Sequence, residues 1–459
     1  MTAMLVPLNA GGPDGETFDV QAVWYPVFYL EDLDPKRLFS FTLLGMDLVI
    51  WWDAQGNQWQ ALLDQCPHRL APLSQGRINE KGFLECPYHG WAFEGQGHCV
   101  TIPQQPQAGQ AQSSQRACVR SFATCVRQGL LFVFAGDRHQ AEQIPVPVVD
   151  VLENPDPSWV CLNTFRDLPY DACTLMENVL DSSHVPYTHH NTVGKRSSAG
   201  VVDLKILHSD RQGFRGVWEE GPRQGTLGRQ ETQFVAPGLM WHDLTSAQWG
   251  RTLTVVYATP MRKGECRLFA RFPFQFAALP PRLALKWTPR WYSHLGQNRV
   301  LEDDQIFLHL QERYLEQKGG SENYQRACYL PTKADLFVTQ YRAWLHSYGA
   351  TPFPEQKLGP ALTPEQLLDR YHSHTQHCGS CGPALDKLQK IRKLGRVVAL
   401  LGLGLTLWLR GNPQFQNHWE VGLRVIILIG AGLWISLGFL EKSFYQGQPI
   451  PPRNRTTQD

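Results

Sequence analysis

Cys66-Pro-His68 and, further along, Cys86-Pro-Tyr-His89 set two thiols and two imidazoles in paired C-x-H and C-x-x-H clips. That donor set suits a Rieske-type [2Fe–2S] centre, with the cysteines on one iron and the histidines on the other. Neutral imidazole in place of thiolate leaves such a cluster less negative, so it accepts an electron more readily than an all-cysteine cluster. The same four residue types also suit tetrahedral zinc. Zinc fingers, however, pair like with like in each clip, whereas each clip here mixes one cysteine with one histidine and Gly90-Trp91 follows the second. Cys66, His68, Cys86 and His89 are therefore read as cofactor-binding residues of a one-electron relay.

A relay needs a terminal acceptor. Asn178-Val-Leu-Asp181-Ser-Ser-His184-Val-Pro-Tyr-Thr-His189 places two histidines five residues apart. The spacing predicts Asp181 and His184 on one helix face, with Pro186 interrupting the helix and turning His189 back toward His184. Two imidazoles and a distant carboxylate form the facial triad that holds non-haem Fe(II) and leaves positions open for O2. Alone the pattern is weak, because 16 histidines must fall somewhere and an interdomain helix with solvated histidines explains it equally. The third ligand is sought in Glu302-Asp303-Asp304, on a helical pattern over residues 287–315. Asp304 shares a stripe with Leu301, Leu308 and Leu315, and Asp303 shares one with Val300, Phe307 and Leu310. Glu302 falls on the polar side, and periodicity leaves the two aspartates open.

The elements that must position these residues read as an α+β chain. Residues 38–63 predict three strands, broken at Gly45-Met-Asp47 and at residues 53–57, in a small all-β module that continues through residues 99–103 and 130–134. A helix is predicted over 171–184, then strands at 201–207, 213–219, 230–235, 253–258 and 267–274, and then the long helix. An antiparallel sheet curling around a helix encloses a cavity. Domain bounds are set at 20–142 for the cluster module, 158–372 for the catalytic domain, 373–393 for a C-x-x-C segment with a basic linker, and 394–442 for an apolar helical hairpin. In that last segment the charge-free runs 397–409 and 425–440 are each shorter than the ~20 residues of a straight spanning helix. Arg396 and Arg424 extend them by snorkelling, and Trp408, Trp419 and Trp434 suit headgroup depth. A membrane hairpin with its ends on the basic side is expected over a buried helical pair.

Lysine plus arginine (43) nearly balances aspartate plus glutamate (42), which argues against a nucleic-acid partner. The 11 cysteines lack framework spacing, which fits a reducing compartment. Residues 1–15 lack the blocks of a secretory signal. Cys378-Gly-Ser-Cys381 is read either as a redox dithiol switched by thioredoxin or as a reduced pair beside a loop. Helix initiation after Gly382-Pro383 would lower a thiol pKa, and His374 and His377 nearby admit adventitious metal. No G-x-G-x-x-G opens a strand-to-helix turn, so electrons must come from another protein.

Both motifs together resemble the Rieske non-haem iron oxygenases, and more narrowly the branch of pheophorbide a oxygenase and chlorophyllide a oxygenase. Trp24-Tyr-Pro-Val, both clips, residues 178–189, Asn298-Arg-Val-Leu-Glu-Asp-Asp304, the C-x-x-C pair and the apolar hairpin carry that resemblance. High-potential Rieske proteins have extra cysteines where this chain has Ala71 and Tyr88. The resemblance implies a helix-grip catalytic domain, His184 and His189 as iron ligands, and Asp304 ahead of Asp303 as the carboxylate ligand. It further implies that Asp181 is a catalytic link from the Rieske histidine of one subunit to the iron-ligating histidine of its neighbour, in a homotrimer. Within one subunit of such folds the two metal sites lie too far apart for fast transfer. The expected reaction is oxygenation of a hydrophobic, chlorophyll-derived tetrapyrrole by O2 with electrons from ferredoxin. The rival class is a membrane-bound Rieske redox sensor or complex subunit. Plant members of the branch carry a transit peptide and this chain starts close to the cluster module, so a cyanobacterial source is expected. The catalytic domains would then face the cytoplasm from the thylakoid or plasma membrane.

Overall fold

The computed structural model describes residues 17–105, 110–154, 156–246, 250–276, 278–410 and 420–454. The expectations for residues 1–15, for Trp419 and for the connection between the two apolar runs lie outside them. By contacts the chain divides into two compact units. One holds the residues up to Trp287 together with Asp303–Ala361, and the other holds Thr288–Glu302 together with the residues from Leu362 onward.

The first unit opens with the small β module. Strands Phe39–Leu43, Met46–Asp53 and Gln58–Leu63 form the expected meander. The first reversal falls at Leu44-Gly45, one residue earlier than predicted. Both residues have positive φ (50° and 78°), as a two-residue hairpin requires, so Met46 and Asp47 already belong to the next strand. A second four-stranded sheet, Arg77–Ile78, Leu84–Glu85, Ala92–Phe93 and Cys99–Thr101, frames the second clip. Val49, Trp51, Leu62, Leu84 and Phe93 form a buried core together with Cys66 and Cys86.

A seven-stranded antiparallel sheet follows. Its spatial order is Val160–Leu168, Glu265–Gln275, Gly250–Arg262, Leu239–Ser246, Gln230–Val235, Gly213–Trp218 and Leu204–Asp210. Two of these strands, Val160–Leu168 and Leu239–Ser246, were not anticipated. The first mixes Asn163, Thr164, Arg166 and Asp167 with apolar residues, and Arg166 is wholly buried, so polarity hides the strand. The sheet is tied to the β module by Thr259, whose Oγ1 donates to the Pro26 carbonyl at 2.7 Å. Arg267 forks onto Asp167 and also reaches the Val27 carbonyl, at 3.2 Å.

Helix Ala172–Leu180 lies on this sheet and ends before Asp181, which is extended (φ −83°, ψ 103°). Asp181 is therefore not on a helix face. Pro186 does not interrupt a helix either: it lies in the first turn of the short helix Val185–Thr188, where a missing N–H costs nothing. The long helix expected over 287–315 is Arg290–Gln317, and a separate helix that the sequence did not announce, Leu279–Trp287, precedes it.

Glu177 pins helix Ala172–Leu180. It is buried and accepts from Tyr324 Oη at 2.6 Å and from Arg342 Nε at 2.7 Å, with Arg342 Nη2 completing a fork. In the second unit, helices Cys381–Arg410 and Glu420–Tyr445 pack as a pair. A Cβ at Gly430 would lie 2.8 Å from the Gly395 carbonyl oxygen, so glycine permits that approach.

Removing one partner of a buried fork strands the other charge. Arg342→Leu should cost roughly 3–5 kcal/mol, whereas Arg215→Leu, which breaks an exposed pair with Glu231, should cost under about 1 kcal/mol. Urea midpoints of the two variants test this, and equal shifts would mean that Glu177 does not anchor the helix.

Candidate metal centres

The two clips are built alike. In the first loop Cys66 donates its N–H to the Ala71 carbonyl (2.9 Å) and accepts at its own carbonyl from Leu70 N–H (2.8 Å). In the second, Cys86 N–H meets the Trp91 carbonyl (2.8 Å), and its carbonyl accepts from Gly90 N–H (3.1 Å). Leu70 and Gly90, each fourth after its cysteine, both take positive φ (57° and 70°). Each cysteine thus closes a loop on its own backbone and is left with a buried sulfur.

The histidines of both loops meet, with ring centroids 4.5 Å apart. His68 stacks on Trp91 at 4.7 Å with an interplanar angle of 4°, which fixes its plane. Its Nδ1 is buried and has no hydrogen-bond partner among the described residues. A buried ring nitrogen without a hydrogen-bond partner, in a loop that also carries a buried cysteine sulfur, fits a metal ligand. Burial pushes the Cys66 thiol up to about 11. The His68 and Arg69 backbone N–H groups oppose that rise, and the neighbouring Cys86 adds to it. A sulfur so raised becomes a thiolate only beside positive charge, and the set of two cysteines and two histidines fits a [2Fe–2S] cluster. His89 is lowered from its ordinary value, first by desolvation and then by His68 and Arg69, which favours the neutral ligand form.

The second site gathers at the break after Leu180. His184, His189 and Asp304 bring one donor atom each to within 4.8 Å of one another. His184 Nε2 lies 3.3 Å from His189 Nε2, and Asp304 Oδ2 lies 3.3 Å from His189 Nε2. Asp304 Oδ1 is 4.0 Å from His184 Nε2 and, although buried, has no hydrogen-bond partner among the described residues. Burial pushes the Asp304 carboxyl up, while His184 and His189 pull it down. Buried mixed donors with an orphaned oxygen fit a hard divalent iron that imidazole and carboxylate can share.

The backs of both rings are held. His184 Nδ1 donates to the Asp181 carbonyl at 2.5 Å. His189 Nδ1 lies 3.3 Å from Asp303 Oδ2, which also accepts from Thr192 Oγ1 at 2.7 Å. Asp303 therefore stands behind the ring, and Asp304 stands with the donor atoms. The Asp181 carboxylate divides its oxygens: Oδ1 accepts from Ser183 N–H (2.7 Å) and Ser183 Oγ (2.6 Å), Oδ2 lies 3.8 Å from His184 Nδ1, and the side chain is 28% exposed.

Sequence reasoning missed Thr192 and His242. His242 Nε2 donates to the Val179 carbonyl at 2.9 Å, while its Nδ1 faces Thr232 Oγ1 at 2.8 Å. Burial holds this imidazole down at about 4, so it is neutral at physiological pH. Gln230 Nε2 donates to Ser182 Oγ at 2.8 Å. The sheet thereby fixes the segment that carries Asp181 and His184. Cys378 and Cys381 belong to the second unit, and both are buried.

A Rieske [2Fe-2S] domain model matches residues 23–123, and a pheophorbide a oxygenase model matches residues 234–322. The chain is 37% identical to the chloroplastic pheophorbide a oxygenase of Arabidopsis thaliana, over 83% of this chain and 75% of that protein. The chain belongs to the pheophorbide a oxygenase family of Rieske oxygenases. It is also 33% identical to the chloroplastic flavonoid 8-hydroxylase 2 of Ocimum basilicum, over 94% of this chain and 85% of that protein. Dicamba monooxygenase bound to dicamba shares the fold, with a TM-score of 0.57 and 23% identity over 73% of this chain and 99% of that one. As a Rieske oxygenase, the protein uses a [2Fe–2S] cluster and a mononuclear iron, consumes O2 and takes its electrons from ferredoxin.

Asp303 orients a ring and need not touch the metal. Asp303→Asn should therefore weaken the mononuclear iron site roughly 10- to 100-fold and leave the cluster intact. Chelator competition followed by iron counting measures it, and unaltered affinity would remove Asp303 from the support of His189.

Proposed function

We propose that Cys66, His68, Cys86 and His89 hold the cluster, that His184, His189 and Asp304 hold the iron, and that the oxygenated substrate is a chlorophyll-derived tetrapyrrole. One observation carries the site assignment: three donor atoms converge within 4.8 Å while both ring Nδ1 atoms are engaged by oxygens behind them. The name of the relative that is 37% identical supports the tetrapyrrole. The flavonoid hydroxylase, similar over more of the chain, supports a second reading, a smaller polyphenolic substrate. Both are flat aromatic systems.

When bound, the cluster supplies single electrons and the iron supplies the activation of O2. The protein's own part is geometric. The Asp181 carbonyl and the Asp303 carboxylate each fix one tautomer, so that His184 and His189 present Nε2 lone pairs. His242, kept neutral, adds no charge beside them. Asp181 is the proposed link between subunits of a homotrimer. Its carboxylate lies at the break of the helix, steadied through one oxygen by Ser183 and partly exposed, which suits a contact from outside the subunit.

Residues 421–445 form a helix long and apolar enough to cross a membrane. Its 25 residues span about 37 Å, more than the ~30 Å of a hydrocarbon core. We extend the proposal to a membrane-embedded hairpin whose basic base, from Lys387 to Arg396, lies on the cytoplasmic side with the catalytic domains. Cys378 and Cys381 are only 2% and 1% exposed, so in this state they offer no sulfur to thioredoxin.

The test is O2 uptake with reduced ferredoxin across pheophorbide-type tetrapyrroles and flavonoids, with the product mass recorded. A tetrapyrrole gaining oxygen is the expected outcome. Turnover of flavonoids alone would favour the second reading, and no substrate-dependent uptake would favour a redox sensor. Asp181→Asn should keep both metal sites yet slow reoxidation of the reduced cluster in a single turnover roughly 10- to 100-fold, and an unchanged rate would exclude the link.

A further inference from the structure

The second unit contains a cluster that the oxygenase reaction does not use. His294 lies near the start of the long helix Arg290–Gln317, and His374 precedes a short turn, Thr375–His377. Cys378 follows that turn, and Cys381 is the first residue of helix Cys381–Arg410. All four are buried, at 0%, 0%, 2% and 1% exposure. Their donor atoms lie within 4.8 Å of one another.

We infer that His294, His374, Cys378 and Cys381 form a closed, four-coordinate site for one zinc ion. His294 Nδ1 lies 3.0 Å from His374 Nε2, 3.5 Å from Cys378 Sγ and 3.4 Å from Cys381 Sγ, and Cys381 Sγ lies 3.3 Å from His374 Nε2. Tetrahedral zinc with ordinary bond lengths sets its nitrogens about 3.3 Å apart and each nitrogen about 3.6 Å from a sulfur. The four separations given fall within about 0.3 Å of those edges.

Hydrogen bonding does not explain the arrangement. A ring nitrogen carries one hydrogen or one lone pair, so it serves one partner in the ring plane, yet His294 Nδ1 faces three. A cation at the centre satisfies all four donors at once. Sulfur donors disfavour magnesium and calcium, a tetrahedral S2N2 set suits zinc or an iron–sulfur centre, and four donors within 4.8 Å of one another close on a single ion, which favours zinc. Four protein donors and full burial leave no position for a substrate, so the site is structural. Neither cysteine is in a disulfide, which would consume two of the four ligands.

The surroundings are built to hold such a site. Cys381 N–H donates to Cys378 Sγ at 3.4 Å. Next to His374, Arg370 forks onto buried Glu302 with two bonds of 2.6 Å and donates to the Ser443 carbonyl at 2.8 Å. Thr375 Oγ1 donates to the Phe444 carbonyl at 2.7 Å. The ion thus ties the start of the long helix to the first residues of the hairpin, while Arg370 and Thr375 tie the same segment to the hairpin's far end.

The test uses the full chain, purified from zinc-supplemented cells. Metal counting should find one zinc per chain beside the iron, and zinc-edge X-ray absorption should show two sulfurs near 2.3 Å and two nitrogens near 2.0 Å. The double variant Cys378→Ser, Cys381→Ser should lose the zinc and keep the iron and the cluster's spin resonance signal. If that variant does not fold, the absorption spectrum of the unaltered protein decides alone. Absence of zinc, zinc bound only by nitrogen and oxygen, or iron in that S2N2 environment overturns the inference.

Discussion

The reactive half of this molecule depends on which way two imidazole rings face. A histidine offers a lone pair at one nitrogen only when the other nitrogen donates its hydrogen elsewhere. His184 and His189 meet that condition through different partners, a backbone carbonyl and a carboxylate. The carbonyl is available because helix Ala172–Leu180 stops one residue short of Asp181. The helix end is held in turn by His242 on the Val179 carbonyl and by Gln230 on Ser182, both from neighbouring strands of the seven-stranded sheet. A chain of hydrogen bonds therefore runs from sheet register to ring tautomer, and a slip of one residue in either strand would turn its partner away from the helix end.

The cluster loops solve a related problem with fewer parts. Each cysteine spends its own N–H and carbonyl on closing its loop, so the buried sulfur is positioned without help from other side chains. The histidines sit at different spacings after the two cysteines, yet the rings converge because the loops are the same shape and face one another. Trp91, next to the second loop's positive-φ glycine, supplies the flat surface that sets the plane of the first loop's histidine. The exchange between the loops explains why Gly90-Trp91 belongs to the motif although neither residue can bind a metal.

Features confined to one short stretch could be read before the structure was known. The clips, the histidine pair and the first three strands all depend on neighbours within a few residues. Periodicity could not separate Asp303 from Asp304, which only the family resemblance ranked, because adjacent helical positions differ by only about 100° and here both side chains are buried, at 1% and 5% exposure. Each faces the site, one behind His189 and one among the donors. The helix end at Asp181 was misplaced because Pro186 is the only strong breaker in that stretch, and proline in a first turn starts a helix as readily as it ends one. Strand Val160–Leu168 was hidden by polar residues that the sheet buries in partnerships such as Arg267 with Asp167. His294 lies more than eighty residues from the cysteines it faces, so no local pattern could link them.

The two histidine sets also show how donor number sorts structure from chemistry. Three donors with an unpartnered carboxylate oxygen leave room on one side, as a reacting site must. Four donors at full burial leave none. The closed set sits at the base of the helical pair, and in the proposed membrane setting it matters most there, because apolar helices in lipid gain little from burying apolar surface against each other. The pair instead depends on close backbone approach, as at Gly395 and Gly430, and on polar contacts at its base. There Arg392 reaches Glu441 at 2.6 Å, and Gln389 donates to the same carboxylate at 3.0 Å. The buried Arg370–Glu302 fork stands next to them, and such a pair repays its desolvation only when its geometry is held firm. A knot of four ligands beside that fork supplies the rigidity it needs.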